Sequence, residues 1–109
     1  MSYDIWLSMD TGNGHEPSVF DVGNYTSNVS EMWFKALGGV LLSSLDGKNA
    51  GECVELLRKA NQYMEEHYQE LLDINPPNGW GNYEGALEYI QKLKRGCIEH
   101  PKAIIRISV

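Results

Sequence analysis

Tyr3, Ile5, Leu7 and Met9 alternate with Asp4, Ser8 and Asp10 at the start of the chain. That period of two predicts a strand half-buried on one face, with Trp6 breaking the alternation onto the other. Thr11-Gly12-Asn13-Gly14-His15-Glu16-Pro17 has turn chemistry and ends it. Ser18 to Asp21 reads as a short extended piece before a polar stretch, Gly23-Asn24-Tyr25-Thr26-Ser27-Asn28.

The period then changes to three and four. Ser30 is the expected N-cap of a first helix carrying Met32, Trp33, Ala36 and Leu37, stopped or kinked at Gly38-Gly39. Val40 to Leu45 suggests a further short helical piece, closed by Asp46-Gly47. The second helix is capped by Asn49, with Glu52 completing a capping-box-like pair. Its apolar stripe runs through Cys53, Leu56, Leu57, Ala60, Met64, Tyr68, Leu71 and Leu72 and ends at Asn75-Pro76-Pro77. Glu55 and Lys59 are spaced for an exposed ion pair. Asn82 caps a third helix that turns Tyr83, Ala86, Leu87, Ile90, Leu93 and Cys97 inward and ends at His100-Pro101. Ala103 to Val109 is β-branched and reads as a strand that pairs with the first. The prediction is a single α+β domain over residues 1–109, its small sheet formed by the N- and C-terminal strands with about three helices on one face. Such a sheet leaves strand edges open, so a homodimer or larger homo-oligomer is expected unless part of residues 18–28 covers the edge.

Composition narrows the partners. Of 109 residues 42% are hydrophobic, enough for one core, and 15 acids against nine bases give a net charge of −6. With no basic cluster, duplex nucleic acid is not an expected partner. No run approaches the roughly 18 apolar residues of a membrane span, and no basic-then-apolar leader is read, so no membrane partner is expected. Cys53 and Cys97 both fall on apolar helix faces and read as small buried hydrophobes with reduced thiols, in a cytoplasmic setting.

Two polar segments carry the candidate chemistry. Asn24-Tyr25-Thr26-Ser27-Asn28-Val29-Ser30 and Asn75-Pro76-Pro77-Asn78-Gly79-Trp80-Gly81-Asn82-Tyr83 both run into helices. Each sets amides, hydroxyls and an aromatic ring beside a helix N-terminus, whose free N–H groups attract anions. Trp80, between glycines, is either a loop anchor plugged into the core or a stacking face for a planar ligand. Gly79, Gly81 and Gly85 resemble a phosphate-cradling loop only loosely, without the preceding strand or a lysine, and suit a single anionic or amide-like group.

The candidate ligand-binding residues are therefore Asp10, Asn24, Tyr25, Thr26, Asn28, Asn78, Trp80, Asn82, Tyr83 and Arg106. Asp10 would supply a carboxylate, and Arg106 the charge that neither loop provides. No catalytic residue, metal site or cofactor is assigned. His67 with Glu66 and Glu70 reads as an exposed acidic helix face, and His100 beside Cys97 as a helix C-cap. The two glycosylation sequons at Asn24 and Asn28 have no secretory context.

Tyr3-Asp4-Ile5-Trp6, Asn24-Tyr25-Thr26-x-Asn28 and Asn78-Gly79-Trp80-Gly81 resemble blocks in a family of small, largely uncharacterised accessory proteins encoded by tailed bacteriophages. The resemblance spans nearly the whole chain. It implies a setting, the bacterial host cytoplasm, and no activity. Small phage proteins of this sort often resemble anti-defence factors, some of which sequester nucleotide immune signals. The leading expectation is a non-catalytic protein binding a small nucleotide-like ligand. A protein–protein inhibitor or adaptor of a host protein comes second, on the acidic surface. A small-molecule enzyme comes third and requires Asp10, His15 or His100 to converge.

Overall fold

The computed structural model describes residues 2–109. Its elements run β1 (Ser2–Ser8), β2 (Ser18–Thr26), α1 (Ser30–Ala36), α2 (Ala50–Glu66), α3 (Tyr68–Leu72), α4 (Tyr83–Glu99) and β3 (Ile104–Ser108). The three strands form one antiparallel sheet in the order β2-β1-β3. The N- and C-terminal strands pair as expected, Ile5 opposite Ile107 and Leu7 opposite Ile105.

Alternation along β1 sorts the two faces. Tyr3, Ile5 and Leu7 are buried against the helices, whereas Asp4 is exposed and Trp6 half-exposed on the opposite face. α4 packs over the inner face and α2 packs against α4, through Leu57, Ala60, Met64, Ala86, Ile90, Leu93 and Cys97, none of them exposed. The architecture is α+β with helices on one face. Among the described residues no helix is long and apolar enough to cross a membrane.

Several expectations need correction. The extended piece expected at 18–21 is a nine-residue strand that absorbs Asn24, Tyr25 and Thr26. Tertiary pairing overrides local polarity here. Tyr25 lies opposite Tyr3 and Asn24 opposite Asp4, so the polar side chains fall on the face that no helix covers. A register shift between Ile5 and Trp6 accompanies Gly23, whose φ of +97° suits glycine and whose N–H bonds Asp21 Oδ1 at 2.9 Å.

Ser30 is not the first helix's cap. Thr26 ends β2 and its Oγ1 accepts from Asn28 N at 3.3 Å, capping a 3₁₀ turn at 27–29 that feeds α1. The second helical stripe is broken at His67 into α2 and α3, giving four helices rather than three. His67 leaves helical geometry (φ −107°, ψ 33°), stacks on Tyr63 at 3.8 Å, and directs Nδ1 at the Tyr63 carbonyl. The break leaves Tyr68, expected inward, 48% exposed, while Leu71 stays buried. On the wet side of α2, Glu55 pairs with Arg58 at 3.0 Å rather than with Lys59.

The sheet edges also differ from expectation. The C-terminal strand is not open. Gly47 N donates to Ile105 O at 2.7 Å, Ile105 N to Lys48 O at 2.9 Å, and Ile107 N to Asp46 Oδ1 at 2.9 Å. Residues 46–49 thus close the outer side of β3, and β2 covers the other side of β1. The Ile105 N–H and C=O and the Ile107 N–H on the β3 edge are already taken within the chain.

At the far end of the sheet the hairpin at 9–17 is anchored electrostatically. Glu16 accepts from Arg106 through both carboxylate oxygens and from the Ser8 hydroxyl. The Arg106 guanidinium and then the Ser8 hydroxyl hold the Glu16 carboxyl at about 2, against an ordinary 4.5. A carboxyl depressed in the folded state stabilises the fold above its unfolded value and loses that contribution as pH falls through the folded one. The melting temperature of the native chain should therefore drop more steeply from pH 4.5 toward 2 than that of Glu16→Gln, the two curves converging at the acid end. Parallel curves in a pH-resolved melting series would contradict this.

Candidate functional site

The two polar loops named from sequence meet. Ser2, Asn24, Thr26, Asn28, Asn78 and Trp80 line one open pocket of about 500 Å³. The end of β2 and the following 3₁₀ turn supply one wall, and the loop before α4 supplies the other.

Each wall has a local cause. On the α4 side, Asn78 Oδ1 accepts from Trp80 N at 3.0 Å, an Asx turn completed by Gly79 at φ +77°. This turn presents Trp80 outward, 67% exposed, so the core-plug reading of this residue is corrected. Asn28 Nδ2 reaches across to Trp80 O at 3.4 Å and ties the walls together. On the sheet side, Asn24 Nδ2 donates to Ser2 Oγ at 2.9 Å and to Asp4 Oδ1 at 3.2 Å, which sets the amide's orientation.

Tyr25, Asn82 and Tyr83 sit behind the pocket rather than in its lining. The Tyr25 hydroxyl accepts from Asn82 N at 3.1 Å, and its ring packs against Trp33 and Tyr89. Asn82 Oδ1 caps α4 by accepting from Gly85 N at 2.8 Å. Tyr83 is buried, its hydroxyl donates to Met64 O at 2.6 Å, and burial pushes that hydroxyl's pKa up. The Tyr83 N–H is taken by Asn75 Oδ1 at 2.9 Å. The α4 N-terminus, expected to attract an anion, has thus given the N–H groups of residues 82, 83 and 85 to Tyr25, Asn75 and Asn82.

Packing also accounts for the glycines. A Cβ on Gly81 (φ +89°) would lie 2.5 Å from Thr26 Cγ2, and one on Gly85 1.9 Å from the Tyr25 hydroxyl. They let the start of α4 seat directly on the end of β2. They do not form a phosphate cradle.

Asp10 and Arg106 lie elsewhere. Asp10 Oδ1 accepts from Gly12 N at 2.8 Å in the distant hairpin. Arg106 is opposite Trp6, four residues along β1 from Ser2, which is on the order of 13 Å away. It is committed to Glu16. No Lys or Arg lines the pocket, and the charge touching its lining is the Asp4 carboxylate. Sequence reasoning missed Ser2 in the lining and, among the acids near the first strand, preferred Asp10 to Asp4, although the strand period places Ser2 and Asp4 on one face with Trp6.

The remaining catalytic candidates do not converge. Asp10, His15 and His100 share no hydrogen bond among the described residues, and His100 packs against Phe20 at 5.9 Å. Burial pushes the Cys97 thiol up to about 12, and the Cys53 thiol also upward, the opposite of an activated thiolate. Among the described residues no three of His, Cys, Asp and Glu gather as metal ligands. No family model, curated protein or solved structure matches the chain.

Proposed function

We propose that the protein is a non-catalytic binder that sequesters a small nucleotide-like ligand, holding it by its ring system. The observation carrying this reading is the union of both Asn-rich segments in one pocket, with a 67%-exposed Trp80 as its aromatic wall. Trp80 offers a stacking face, and Asn24, Asn28, Asn78 and Thr26 offer amides and a hydroxyl to a base edge or sugar.

Charge decides which part of the ligand enters. With Asp4 beside the lining and no cation in it, a phosphate gains nothing inside and lies toward solvent. In the phage-infected bacterial cytoplasm that the sequence resemblance implies, the ligand class would include nucleotide immune signals. A homo-oligomer of this binder would use the β2 side of the sheet, because residues 46–49 close β3.

A thermal-shift panel of nucleosides and their nucleotides tests this. Ligand at about 100 times its dissociation constant adds roughly 2.7 kcal/mol. In a domain of this size the midpoint should rise by roughly 10 °C or more. A nucleoside should act as strongly as its nucleotide. Trp80→Ala should melt within about 0.5 kcal/mol of the native chain, as expected for an exposed side chain, and show no ligand shift. A flat panel, or an undiminished shift in Trp80→Ala, overturns the proposal.

A further inference from the structure

The sheet has a second functional-looking region, on the face that no helix covers and beyond the pocket. Asp4, Trp6, Ser18, Asp21 and Ser108 line a concavity of about 540 Å³ there. Trp6 is on the central strand, directly opposite Asp21 on one side and Arg106 on the other. A half-exposed indole in the middle of an uncovered sheet is the kind of anchor on which interface energy concentrates.

Charge complementarity selects the occupant. The two ionised groups in the lining are both carboxylates, and the cation on this face, Arg106, is neutralised by a two-point ion pair with Glu16. The chain as a whole is at −6. A second copy is disfavoured, since two such faces would set Asp4 and Asp21 against their own like charges. A guanidinium or ammonium group meets the opposite situation. It can lie over the Trp6 face while its N–H groups reach a carboxylate on either side.

We infer that this outer sheet face docks a basic protein segment, with an arginine or lysine side chain seated over Trp6 between Asp4 and Asp21. The concavity adjoins the Trp80 pocket through Asp4, and the inference does not rest on what that pocket binds. Asp4 Oδ1 accepts from Asn24, and Asp21 Oδ1 from Gly23 N. Asp4→Asn with Asp21→Asn keeps both acceptor oxygens and removes both charges, so the fold is preserved while the proposed attraction is lost.

The three tryptophans make the test readable. Trp33 is in the core, Trp80 in the pocket and Trp6 on the outer face, so each indole N–H signal in an NMR titration reports one location. The probe is a short oligo-arginine peptide at low salt, with oligo-glutamate as the counter-probe. The Trp6 signal should move saturably with oligo-arginine alone, while Trp33 and Trp80 stay in place. The double Asp→Asn variant, shown to be folded by its Trp33 signal, should bind about tenfold or more weakly. Glu88→Gln with Glu99→Gln removes as much charge from exposed positions on α4, across the sheet, and should bind as the native chain does. Equal losses in the two double variants would reduce the effect to net charge and overturn the inference. So would movement of Trp80 in place of Trp6, the absence of saturable binding, or a Trp6 shift that follows protein concentration without peptide.

Discussion

Trp33→Ala is expected to cost about 3–5 kcal/mol of folding stability, the range for removing a large aromatic from a core. Domains of this kind hold about 5–15 kcal/mol in total, so the variant should lose a large share of its stability. The size of the effect follows from what the ring touches. Trp33 is fully buried, edge-on to Tyr3 at 5.2 Å and stacked on Tyr89 at 5.4 Å, and its Nε1 donates to Ala86 O at 3.1 Å. It therefore joins α1 to β1 and α4 at once. Trp33→Phe keeps part of the packing and loses the hydrogen bond, and should cost about 1–2 kcal/mol. Urea unfolding with an unchanged m-value measures both. A loss below about 1 kcal/mol for the alanine variant would show that the cluster can collapse around the gap.

That cluster also explains how far the fold was legible in the sequence. Rules acting over three or four residues worked, because their causes are local. Asn49 and Asn82 cap α2 and α4 through Oδ1 bonds to Glu52 N and Gly85 N, as their spacing predicts. β1 was assigned from its period of two and β3 from its β-branched run. The polar half of β2 was not, because Asn24 and Thr26 look like loop residues until the neighbouring strand shows that their face is uncovered. The break at His67 is set by its stacking on Tyr63 and has no apolar-period signal, since Leu71 continues the stripe beyond it.

The site divides in the same way. Local chemistry singled out both loops, because amides beside glycines and an isolated tryptophan are unusual at any sequence position. Their meeting is a tertiary fact, and so is the cost of that meeting to the expected anion site. The donors of the α4 N-terminus are consumed by Tyr25, from a strand 57 residues away, and by Asn75. Arg106 was assigned to the ligand because neither loop contains Lys or Arg, and the fold gives it to Glu16. The pocket that results has no cation and an acidic neighbour in Asp4, so it suits an anion less than the loops alone suggested.

The start of α4 is where fold and site can be separated experimentally. Gly→Ala inside a helix ordinarily stabilises by up to about 1 kcal/mol, because alanine has less backbone freedom to lose. Gly85→Ala should do the reverse and destabilise by about 3 kcal/mol. Its Cβ would lie 1.9 Å from the Tyr25 hydroxyl oxygen and 2.5 Å from Cζ. The tyrosine cannot simply swing aside, since its ring packs against Trp33 and Tyr89 at 6.2 and 5.8 Å and its hydroxyl accepts the Asn82 N–H. The strain should be carried by α4, whose first turn would lift off β2 and take the Trp80 loop with it. Ligand binding should then weaken in Gly85→Ala even under conditions where the protein is still folded. A double-mutant cycle isolates the cause. In a Tyr25→Ala background the clash is gone, and Gly85→Ala should become neutral or mildly stabilising, giving a coupling of about 3 kcal/mol. A Gly85→Ala variant as stable as the native chain would mean that Tyr25 yields at little cost, and that the pocket's back wall is softer than its hydrogen bonds imply.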